Sequence, residues 1–171
     1  VTISIGGFQN AIAEAVGRAQ PLGAQAGDEL RLVTSNSMAA GNAPEGAAGM
    51  VETNVNIAAV TMNGDAITSC VIDAVQAQVS FDGQGQLLTD LSAPVPSKND
   101  RGADYGMGAV SSIGKEWNEQ AAAFAAYVTG KTLDEVAGIA VDEATKPAEA
   151  DLASSVTISI GGFQALLEKL R

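Results

Sequence analysis

Apolar positions along this chain follow two periods, and the order of those periods sets the expected architecture. Val1-Thr2-Ile3-Ser4-Ile5 alternates, as a strand would. After Gly6-Gly7 the spacing turns helical, with Phe8, Ile12 and Val16 at i, i+4 and i+8. The nine letters from Val1 to Gln9 return unchanged at Val156 to Gln164, again followed by a helical stripe of Phe163, Leu166, Leu167 and Leu170. This is the signature of a repeat with a unit of about 155 residues. Residues 1–20 are expected to be the tail of a preceding unit, or a swapped segment, and residues 21–171 a single domain. The two copies are expected to occupy similar environments, whether both within this chain or one of them supplied across a unit boundary.

Residues 21–28 (PLGAQAGD) read as a linker, residues 29–34 as a strand and residues 35–49 as a loop of small residues with Asn42, Ala43 and Pro44. The clearest strand signal follows: residues 50–62, a hairpin turn at Asn63-Gly64, and a return over residues 66–73. Residues 75–81 and 86–91 flank a second turn at Asp82-Gly83, which gives a four-stranded antiparallel meander. Pro94, Pro96 and a polar cluster make residues 92–104 a loop. A helix is expected over residues 113–129, capped by Ser111 or Ser112 and stopped by Gly130. Trp117, Ala121, Phe124 and Val128 lie on its apolar face. Thr132 with Glu135 forms a capping box for a short helix, and residues 142–150 an acidic connector. The expected fold class is α+β: an antiparallel meander packed by helices near 8–19, 113–129 and 161–170.

Composition changes this picture in three ways. Hydrophobic residues make up 46% but aromatics only 4%, so the core must be built from small side chains with few large anchors. Twenty acidic against nine basic residues, a net charge of -11, repel nucleic acid and anionic membrane surfaces alike. The absence of histidine excludes Ser-His-Asp and Cys-His catalysis and the usual His-bearing metal sites. Cys70 is the lone cysteine and, beside Val71 and Ile72, reads as a small buried hydrophobe. The glycines match neither a dinucleotide fingerprint nor a phosphate loop. Asp100, Asp104 and the Asp142-Glu143 pair lack calcium-loop spacing and read as a solvated face. No catalytic set emerges, and an enzyme is not expected. No apolar run is long enough to span a membrane. Without an initiator Met or a leader, Val1 is expected to be an internal position of a longer, secreted or surface-bound protein.

The stretch Asp151-Leu152-Ala153-Ser154-Ser155-Val156-Thr157-Ile158-Ser159, with a helix after it, resembles the attachment motif of the FMN-binding domain family, Asp-x-x-Ser-Gly-Ala-Thr. Asp151, Ser154 and Thr157 match; Ser155 and Val156 stand where the family has Gly and Ala. The run from Gly49 through Asn63-Gly64 to Val71 is similar to the family's hairpin. The resemblance implies an FMN joined by a phosphodiester bond to the Thr157 hydroxyl by a separate transferase, with Asp151 positioning the donor and Ser154 holding the turn or the phosphate. Thr2 would be the equivalent of Thr157 in the first copy. A threonine just before a helix would set the phosphate against free backbone N–H groups, with Gly161 and Gly162 allowing close approach. Tyr105, in a glycine-flanked loop, is the candidate to stack on the flavin ring, and Trp117 a core residue.

Two functions are therefore expected from the sequence. One is an extracellular electron-transfer module with covalent FMN that exchanges electrons with neighbouring copies or redox partners. The other is a structural repeat of an extracellular fibre or surface layer, assembled with copies of itself by strand or segment exchange and carrying no cofactor.

Overall fold

The firmest turn in the sequence is also the pivot of the sheet. In the computed structural model, which describes residues 2–42 and 47–171, Asn63 pairs with Ala66 across Gly64-Asp65, and Gly64 takes a φ of 59°. Three strands meander antiparallel around it in the order β1 (Glu29–Gly41), β2 (Gly49–Asn63), β3 (Ala66–Phe81). Six helices accompany them among the described residues: α1 (Gly6–Gly17), α2 (Lys98–Arg101), α3 (Trp117–Val128), α4 (Leu133–Ala137), α5 (Ala150–Ala153) and α6 (Gly161–Glu168). The fold is α+β.

The sheet has three strands where four were expected. Residues 66–73 and 75–81 form one unbroken strand, and β1 extends through residues 35–41 to pair Gly41 with Met50. Ala43 and Pro44, expected in the preceding loop, lie outside the described residues. The fourth strand at 86–91 is reduced to a single bridge from Leu87 to Phe81. The reason lies in the segment's own side chains. Leu88 N–H donates to Ser80 O, but Ser80 N–H donates to the Thr89 hydroxyl, where a ladder would need a backbone carbonyl. Asp90 then turns the chain away by accepting from the Ser92 N–H and hydroxyl. The other end of the β3 edge is covered by Gly130 and Lys131 at Ile67 and by Asn99 at Ile72.

One face of the sheet carries Val33, Ala58, Val60, Met62, Ile67, Cys70, Ile72 and Ala74 into the core against α3 and α6. Cys70 is buried there, and burial pushes its thiol up to about 12, so it stays protonated and unreactive. The opposite face exposes Leu30, Leu32, Met38, Ile57 and Val71. The linker is tighter than its composition suggested. A Cβ on Gly23 would come within 2.5 Å of Thr68 O, and Asp28 accepts from the Thr68 hydroxyl at 2.6 Å and from Asn63.

Helix α3 starts later than expected, at Trp117. Its cap is Glu116, whose carboxylate also accepts from the Met107 and Gly108 N–H groups, while Glu119 answers from the third position. Ser111, expected to cap, turns inward. The Thr132–Glu135 capping box forms as expected at α4.

The largest departure concerns the repeated segment. Both copies enter a helix by the same step: Ile5 has φ −103°, ψ −3° and Ile160 has φ −105°, ψ −6°. The alternating residues before it, which suggested a strand, form none among the described residues of either copy. The environments are opposite. Phe8 is 61% exposed and Phe163 5%; Ile5 is 56% exposed and Ile160 fully buried. No residue of α1 is buried, and an ion pair from Arg18 to Asp100 tethers its end to α2. Within this chain the two copies do not sit alike.

Candidate functional site

The site with the densest specific contacts is the seat of the second copy, and it is assembled from three places in the sequence. Helix α3 supplies Gln120, an amide one helical turn from Trp117 on an otherwise apolar face. It is fully buried. Its oxygen accepts from the Thr157 N–H at 2.8 Å, the Ile158 N–H at 3.2 Å and the Thr157 hydroxyl at 3.2 Å. Its amide nitrogen donates to Lys115 O at 2.9 Å and to the Ser111 hydroxyl at 3.2 Å. A buried carboxamide with every group partnered fixes the turn at 156–158 as firmly as a short stretch of sheet would.

The second wall is the segment read as an acidic connector. It is a turn closed on Asp142, whose carboxylate accepts from the Ala144 and Lys146 N–H groups. Thr145 is thereby held at a φ of 57°. From there Thr145 O accepts the Ile160 N–H at 2.8 Å, and its hydroxyl bonds that of Ser159. Gly161 lies so close that a Cβ would stand 2.9 Å from the Thr145 Cβ; at Gly6, in the first copy, nothing comes within 4 Å. Gly161→Ala is therefore expected to destabilise the protein by about 1–3 kcal/mol through overpacking, and Gly6→Ala not at all. Urea unfolding of the two variants measures the difference.

Helix α4 forms the third wall. The Gln164 amide donates to Val136 O and Ile139 O, both at 3.0 Å, satisfying carbonyls at the end of that helix. Beneath it Phe163 meets Trp117 edge-on at 5.9 Å and Phe124 at 5.4 Å. Thus Thr157, Ile158, Ser159, Ile160, Gly161, Phe163 and Gln164 are each held by a specific partner, and Val156 is fully buried. Among the described residues, Thr2, Ser4 and Gln9 have no side-chain hydrogen bond.

The residues that the resemblance singled out are scattered around this seat. Thr157 is half-buried at its edge, with the Ser111 hydroxyl 3.5 Å away. Ser154 is exposed and donates its hydroxyl to Asp151 O at 2.7 Å, while the Asp151 carboxylate faces solvent at α5. Tyr105 lies on the polar end of the sheet: its hydroxyl donates to Gln76 at 3.3 Å, and Lys98 Nζ and the Arg101 guanidinium stand 4.7 and 4.9 Å from its ring centre. There Glu52 accepts from Gln78, Asn54 and Gln76, bonds that hold its carboxyl below the ordinary range. The turn does not match a phosphate cradle as folded. Both N–H groups next to the acceptor hydroxyl already donate to Gln120, α6 begins only at Gly161, and that glycine's close approach is to Thr145. In this turn a phosphate on Thr157 would find neither N–H free.

Gln120, Thr145 and Gln164 escaped the reading of the sequence. Gln120 carried the one available signal, a polar residue interrupting the Trp117, Ala121, Phe124, Val128 stripe. Among the described residues no three acidic or cysteine side chains gather as a metal site, and no helix is long and apolar enough to cross a membrane. Comparison with protein-family models, curated sequences and solved structures finds no match to this chain.

Proposed function

We propose that this chain is a structural repeat module of an extracellular assembly, in which the Val-Thr-Ile-Ser-Ile-Gly-Gly-Phe-Gln segment closes a module and thereby joins it to its neighbour. One observation carries the reading: nearly every one of the nine shared residues is specified by the seat at 156–164, while the identical residues 2–9 face solvent. Chemical constraints that explain one copy are missing around the other, so residues 2–9 owe their sequence to a comparable seat in another module. The exposed apolar stripe of α1 agrees with this, since such a face marks an interaction surface. So does the second face of the sheet, where Leu30, Leu32, Ile57 and Val71 lie open to a neighbour.

The second reading is the electron-transfer module with FMN on Thr157. It is favoured by the half-buried Thr157, on the same short stretch as exposed Asp151 and Ser154. Intact-mass spectrometry after co-expression with a flavin transferase separates the two. The structural reading expects an unmodified mass and no flavin absorbance. A gain of one FMN that disappears in Thr157→Val would overturn it in favour of the second. That variant itself should cost only about 0.5–1.5 kcal/mol, the loss of one hydroxyl hydrogen bond to Gln120.

A further inference from the structure

The two copies diverge just after their ninth shared residue, at positions where the seat is most demanding. Leu166, Leu167 and Leu170 are buried in the core between α4 and the sheet. The first copy has Ala11, Ile12 and Ala15 in the corresponding places. Ile12 keeps the volume of a leucine. Ala11 and Ala15 do not, and in this seat each would leave a void where a leucine side chain now packs.

Polar positions disagree as well. Lys169 donates its ammonium to Thr34 O at 3.1 Å, and Arg171 pairs with Asp134 at 2.8 Å. The first copy places Glu14 and Val16 there. Glu14 offers the Thr34 carbonyl no donor, and Val16 leaves Asp134 without its cation; both contacts are exposed, so the leucine positions carry most of the mismatch.

We infer that residues 2–17 close the groove of a different module of this fold, one with larger side chains than this module has opposite positions 11 and 15 and a donor opposite Glu14. The nine shared residues are the common anchor, and the following seven select which module is closed. This inference rests on the reading of the segment as a closing element. It goes further by making the partner a non-identical module. Specificity then comes from mismatch: a segment that fits a neighbour's groove and leaves voids in its own chain's groove cannot displace residues 156–171, and modules join in a fixed order. A heterologous contact of that kind propagates in one direction only.

The full chain provides the test. Phe163→Ala should lower the urea midpoint, and residues 2–17 should be unable to make good the loss. Adding Ala11→Leu, Glu14→Lys and Ala15→Leu to the exposed helix should then recover at least half of the lost midpoint, because the first copy now matches the groove and carries an intact phenylalanine. Phe8→Asp in that background should abolish the recovery. Failure of the three helix substitutions to recover any midpoint overturns both the inference and the closing-segment reading. If Phe163→Ala alone leaves the midpoint unchanged, or Phe8→Asp lowers it further in an otherwise unaltered Phe163→Ala chain, the native first copy already closes this groove. The inference then falls, and the closing-segment reading stands.

Discussion

Phe163→Ala is expected to destabilise the protein by about 3–5 kcal/mol, while Phe8→Ala, inside the same nine-residue sequence, should change stability by no more than about 0.5 kcal/mol. The difference comes entirely from surroundings. Removing the Phe163 ring empties a space bounded by Trp117 and Phe124, and the rigid helices around it close that space only in part. Phe8 has water on most of its surface, so its loss removes little that folding had gained. Equilibrium urea unfolding of the two variants, beside the unaltered chain, measures both values. Equal costs would mean that α1 packs on the body in solution and would remove the main support for the closing-segment reading.

Gln120→Leu should cost about 1–3 kcal/mol, although the new side chain is apolar and similar in length. The two N–H groups at 157 and 158 and the Lys115 carbonyl would lose the buried amide that pairs them. Amide hydrogen exchange provides a second, local readout, with Thr157 and Ile158 losing protection more than β2 and β3 do. Uniform loss of protection across the chain would instead mean that Gln120 supports the core as a whole and not the turn in particular.

Much of the fold was legible because it is written in short-range terms. The Asn63-Gly64 hairpin, the Thr132–Glu135 capping box and the apolar face of α3 each depend on residues a few positions apart, and each stands where the sequence placed it. The strand count was not legible. A return strand at 86–91 is plausible by its own residues, but the Thr89 hydroxyl takes the Ser80 N–H and Asp90 turns the chain at Ser92, side-chain bonds that compete with a backbone ladder. The start of α3 was misplaced for a related reason. Ser111 is a good cap by type, yet its hydroxyl is drawn to Gln120 and Thr157, and Glu116 takes the cap because its carboxylate also gathers the loop at 107–108.

The candidate site divides along the same line. Asp151, Ser154 and Thr157 could be named from a motif, since a motif is a local pattern. Their roles in the fold could not, because Thr157 is met by Gln120 from 37 residues away and Gly161 by Thr145 from the far side of α5 in the chain. By itself, the sequence determined where each copy of the repeated segment enters its helix: Ile5 and Ile160 share their backbone angles to within a few degrees, since φ and ψ answer to neighbouring residues. Only the tertiary structure decided that one copy is core and the other surface. Burial requires partners, and a single seat made by Gln120, Thr145, Phe124 and Trp117 holds one such segment at a time.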